Sequence, residues 1–63
     1  MNIDALIAAI NSEIAEHIEL RKEFGAGNQN VVSHSAKLSG MVEALEIITG
    51  VHYRQTPEGL VRI

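Results

Sequence analysis

Sixty-three residues with five Lys and Arg against eight Asp and Glu, a net charge of -3, and 46% hydrophobic but only 3% aromatic content can build one small domain around one aliphatic core. A core of that size supplies about 3–5 kcal/mol at most, and small scaffolds add disulfides, a metal or a partner subunit. With no cysteine, disulfides and Cys-based zinc sites are excluded and self-association is the remaining route, while a catalytic cleft needs walls that so short a chain can scarcely supply.

From Ile3 to Phe24 the apolar residues Ile3, Leu6, Ile7, Ile10, Ile14, Ile18 and Phe24 recur at three and four, which predicts an amphipathic helix over 3–24. Asn2 or Asp4 opens it as a cap or first-turn acid. Gly25-Ala26-Gly27-Asn28-Gln29-Asn30 then forms a loop, 25–30, short enough to turn the chain straight back. A second helix is predicted over 31–49, with Asn30 or Ser33 as its cap, Gly50 as its stop, and a stripe of Val31, Leu38, Met41, Val42, Leu45 and Ile48.

The two form an antiparallel helical hairpin. The pairing implied by the loop sets Ile14 against Met41, Ile10 against Leu45 and Ile7 against Ile48, with Phe24 closing the loop end. In the tail, 51–63, Val51 to Gln55 alternates as a strand does, and two readings of Thr56-Pro57-Glu58-Gly59 compete. Pro at the second turn position with Gly at the fourth makes a type I turn and a β-hairpin. Thr as N-cap, Pro as first helical residue and Glu as first-turn acid make a helical turn, and meeting three start preferences at once tips the reading that way. The fold class is therefore mainly all-α: one domain over 1–63, a helical hairpin with a short C-terminal extended segment or helical turn, assembling into a four-helix bundle or coiled coil.

Two features of the helices carry the functional reading. Ala36, Gly40, Ala44 and Ile47 lie on the second helix away from its main stripe, flanked by Val32, Ser33 and Ser39. Small residues four apart let another helix approach closely, so this face is the expected homo-oligomer interface. His17, Arg21 and His34 interrupt the apolar stripes near the loop, and in the predicted pairing Arg21 faces His34 with His17 one turn away. Guanidinium plus two imidazoles could grip a phosphate or carboxylate; a solvated helix end or a polar layer that sets register accounts for the same residues.

Other chemistries fit worse. The histidines at 17, 34 and 52 form no local ligand pair and Arg21 repels a cation, so no zinc or nickel site and no cofactor are expected. Ser35 points about 100° around the helix from His34, so the two are no catalytic dyad. Gly25-Ala26-Gly27 lacks the lysine and the preceding strand of a phosphate loop. Glu13, Glu16, Glu19 and Glu23 give the first helix a solvated acidic face, paired weakly with Arg21 and Lys22; a nucleic-acid mimic is the sharper reading of the same charges. The apolar stretch from Ala5 to Ser12 is too short to span a bilayer, and no cleavable leader is evident, so a cytoplasmic protein without membrane contact is expected, encoded by a complete small reading frame.

The stretch Lys37-Leu38-Ser39-Gly40-Met41-Val42-Glu43-Ala44-Leu45-Glu46-Ile47-Ile48-Thr49-Gly50, with Tyr53 and Thr56-Pro57-Glu58-Gly59-Leu60, resembles the C-terminal half of small helical-hairpin accessory proteins encoded by phages and prophages. The resemblance covers about half of the chain and brings no motif residue with it. It implies an inhibitor or modulator of a host protein, such as a defence factor, acting in the host cytoplasm, or a sponge for an anionic signalling nucleotide. The combined expectation is a non-enzymatic oligomeric interaction protein with a protein partner. The alternatives are the anion sponge using His17, Arg21 and His34, and a structural oligomerisation module alone.

Overall fold

The computed structural model describes residues 2–63, which form α1 (Ile3–Phe24), α2 (Gln29–Thr49), β1 (Tyr53–Thr56) and β2 (Gly59–Arg62). Helix α1 has the predicted bounds. Asn2, in extended backbone, caps it by accepting a hydrogen bond from the Ala5 N–H through its side chain at 3.1 Å, and Gly25 ends it at φ +83°. Asp4 in the first turn and Arg21 and Lys22 in the last complement the helix dipole.

Helix α2 begins earlier than the apolar spacing predicts. Asn28 is its cap, rather than Asn30 or Ser33, and the Asn28 side chain accepts from the Asn30 N–H at 2.9 Å. The apolar period becomes visible only at Val31, but the cap must precede the first turn, whose N–H groups have no helical partner. The loop is shortened accordingly. Gly50 closes α2 as predicted, in a left-handed conformation with φ +69° that L side chains rarely adopt.

The helices pack antiparallel around Ile10, Ile14, Leu38, Val42 and Leu45, with Ile3, Leu6, Ile7, Ile18, Met41, Tyr53 and Leu60 partly buried against them. Both predicted stripes therefore face inward, with exceptions at their ends. Phe24 is half exposed and does not close the loop end, and Ile48 is also half exposed. The pairing is displaced by about one turn: His17 meets His34 and Glu13 meets Lys37, where the sequence reading set Arg21 against His34. The shorter loop moves the register in this direction. Among the described residues, no helix is long and apolar enough to cross a membrane.

The tail is a β-hairpin and not the helical turn. Strands β1 and β2 pair antiparallel, with Tyr53 opposite Arg62, Gln55 opposite Leu60 and Thr56 opposite Gly59. The hairpin is favoured because it can be tied to the helices, whereas one or two helical turns are marginal by themselves. The Ile63 N–H donates to the His52 carbonyl, so the alternation of an antiparallel ladder turns the N–H groups of Tyr53 and Leu60 outward. Both are satisfied by helix side chains: Glu46 Oε2 on α2 accepts from Tyr53 at 2.8 Å, and Asn11 Oδ1 on α1 accepts from Leu60 at 2.8 Å. Two-stranded sheets are weak alone, and here each strand is pinned to a different helix.

Candidate functional site

The polar layer lies between the helices on the loop side of the core. Ile14 and Leu38 are buried members of that core, and one turn closer to the loop the facing positions are His17 on α1 and His34 on α2. Their Nδ1 atoms are 3.1 Å apart, with ring planes 13° from parallel. The other nitrogen of His34 points toward α1's Glu13: Nε2–H donates to Oε2 at 2.6 Å. Lys37 reaches the second carboxylate oxygen of Glu13 at 3.5 Å. With Nε2 donating, a neutral His34 accepts at Nδ1, and His17 Nδ1–H is the donor. The result is a continuous chain, His17 to His34 to Glu13 to Lys37, that crosses the helix interface three times.

Burial makes this layer strong. The His34 side chain is 11% exposed and that of Glu13 is 23% exposed, compared with 59% for Lys37. The hydrogen bond from His34 holds the Glu13 carboxyl below its ordinary range against the opposing effect of burial, with further help from Lys37. His17 is pushed down, first by burial and then by the neighbouring His34 and Arg21. It therefore favours the neutral form.

Of the three predicted site residues, the structure brings two together. His17 and His34 are in contact, whereas Arg21 is exposed and lies one turn beyond His17, lining with it, Ala26, Val31, Val32, Ser35 and Ala36 an open cleft of about 450 Å³. Glu13 and Lys37 were not expected in the layer, Glu13 having been assigned to the solvated acidic face. Once the register moves by a turn, His17 takes the place of Arg21 opposite His34, and the residue one turn before it, reached by the other nitrogen of His34, is Glu13. The exposed Lys22–Glu19 pair at 3.6 Å does behave as the surface pairing expected of that face. The predicted interface residues Ala36, Gly40, Ala44 and Ile47 are all exposed on α2. Ile47 retains 77% of its surface, and a Cβ placed on Gly40 would meet nothing within 4 Å.

Comparison with family models, with curated proteins and with solved structures gives no match.

Acid should act on the layer in a defined order. A depressed His17 means that the unfolded chain takes up the imidazole proton first, so stability present above the ordinary value of 6.5 falls as pH drops below it. A depressed Glu13 adds a second loss, beginning as pH falls through 4.5 and continuing through its lower folded value. Urea titrations at pH 7.5, 5.5 and 4 are expected to show both stages. In His17→Gln the loss between 7.5 and 5.5 should shrink; a loss of wild-type size there would remove His17 as its source.

Proposed function

We propose that the protein is a non-enzymatic interaction module that works as a homo-oligomer, two hairpins meeting across the outer face of α2. The observation that carries this reading is the unpartnered state of that face: Val32 and Ile47 are exposed on either end of the Ala36, Gly40, Ala44 stripe. The molecule also exposes 4316 Å², somewhat more than the roughly 4,000 Å² usual for a compact monomer of its mass. The assembled bundle then presents its remaining surface to a protein partner, which the phage-like sequence character suggests is a host factor.

Gly40 separates this reading from a bare surface helix. In an isolated hairpin Gly40→Ala has room for the new methyl and should stabilise α2 by about 1 kcal/mol. At a close helix crossing the same methyl, multiplied by the symmetry of the pair, holds the helices apart. Sedimentation velocity at micromolar concentration is expected to show an oligomer for the wild type, weaker association for Gly40→Leu and a folded monomer for Ile47→Asp. A wild type that is monomeric and stably folded would overturn the proposal.

The sponge reading draws on the cleft beside His17 and Arg21. It has less support, because His17 favours the neutral form and leaves the exposed Arg21 guanidinium as the lining cation.

A further inference from the structure

We infer that Glu13, Glu16 and His34 form a binding site for a divalent transition ion, zinc before the others, that bridges α1 and α2. One ligand atom from each of the three, a carboxylate oxygen from either glutamate and a ring nitrogen from His34, lies within 4.8 Å of the others. A tetrahedral zinc with bonds of about 2.0–2.2 Å sets its ligand atoms about 3.3 Å apart, so side-chain rotation is sufficient to close the site. Glu16 is exposed and free to swing inward, and Glu13 and His34 are already in contact. One imidazole and two carboxylates are a mixed nitrogen and oxygen set that suits zinc and leaves a position for water.

The surroundings of His34 favour this use. A ligating imidazole commonly donates its other N–H to a neighbouring acceptor, which fixes the ring and its tautomer. His34 has that neighbour, since its Nδ1 lies 3.1 Å from Nδ1 of His17. When Nε2 exchanges its hydrogen bond to Glu13 for the ion, His34 carries its hydrogen on Nδ1 and donates to His17, whose own hydrogen moves to its other nitrogen. The sequence spacing hid the site, because residues 13, 16 and 34 form no local motif, and the cation that argued against a metal, Arg21, does not face His34. The cation that does compete is Lys37, at 3.5 Å from Glu13, on a mostly exposed side chain that can leave.

A metal here would supply the cross-link that a Cys-free chain of this length lacks. It is held within one hairpin and does not depend on self-association. The experiment is a competition titration of the metal-free protein with zinc against a chromophoric chelator, paired with thermal melts in zinc and in EDTA. Zinc is expected to bind one per chain and to raise the melting temperature. Glu16→Gln should keep the melting temperature of the metal-free protein, because Glu13 and His34 still pair, yet bind zinc about tenfold more weakly or worse. Lys37→Gln should bind about two- to threefold more tightly, the effect of removing an exposed competing charge. His52→Gln keeps full affinity, which separates this site from the exposed His52–Glu46 pair. Zinc binding that is lost with His52 and unchanged in Glu16→Gln, or no binding in the wild type, overturns the inference.

Discussion

Leu45→Ala is expected to abolish cooperative folding of the hairpin, or to leave a broad transition well below the wild-type melting temperature. Leu45 is fully buried, in one cluster with Ile10, Ile14, Leu38 and Val42. Truncating such a residue costs about 2–5 kcal/mol, through lost transfer energy and the cavity left behind. A chain of this length has about 3–9 kcal/mol of total stability to lose. Few neighbours are available to collapse into the gap, because the buried cluster has only five members among the described residues. Two positions further on, Ile47→Ala removes a similar apolar volume from a side chain 77% exposed on the single hairpin, so at concentrations too low for hairpins to associate the fold should change by less than about 0.5 kcal/mol. Circular dichroism melts of the two variants, both at one submicromolar concentration, test the contrast. Equal losses in both would mean that Ile47 is covered in solution, and a folded Leu45→Ala would mean that the core is not where the stability resides.

That contrast shows what was readable in the amino-acid order and what was not. Local periodicity identified both helices, and on α1 it located both ends, because Asn2 and Gly25 lie directly beside the apolar pattern. The start of α2 was misplaced because Asn28 caps before the pattern becomes visible. The pairing of the helices was misplaced by a turn for the same reason, since loop length and register are coupled in a hairpin. The candidate site inherited that displacement. His17 and His34 were recognised as out of place on apolar stripes, but the partner assigned to them was Arg21, and Glu13 was given to solvent. In the tail, Thr56-Pro57-Glu58 satisfies both turn and helix rules locally. The choice is made by Asn11 and Glu46, tens of residues and several residues away respectively, which no local rule consults.

These distant ties also explain how a small core is supplemented. The helices are joined by the His17, His34 and Glu13 chain on the loop side, and the hairpin is joined to them by Glu46 and Asn11 on its two edges. Among the described residues, no buried side-chain nitrogen or oxygen lacks a hydrogen-bond partner. In a domain this small, where each unpaired polar group costs about 1–3 kcal/mol, that satisfaction matters as much as packing.

Gly59→Ala tests the tie that the sequence concealed most completely. Gly59 is buried with φ +124°, and a Cβ there would lie 2.9 Å from Asn11 Oδ1, the oxygen that accepts from the Leu60 N–H. The substitution therefore has two costs. Forcing an alanine into that backbone region costs about 1–3 kcal/mol. Displacing Asn11 forfeits a hydrogen bond worth about 0.5–1.5 kcal/mol. Together these come to about 1.5–4.5 kcal/mol, and at about 4–8 °C per kcal/mol for a domain of this size the melting temperature should fall by about 6–36 °C. Because the two residues share one contact, their substitutions should not add: in an Asn11→Ala background the new methyl has no oxygen to strike, and Gly59→Ala should cost only the backbone part. A four-member cycle of wild type, both single variants and the double variant, followed by urea denaturation, measures that coupling. Strict additivity would show that Asn11 and Gly59 act independently and that the close approach of the two contributes nothing to the cost of Gly59→Ala.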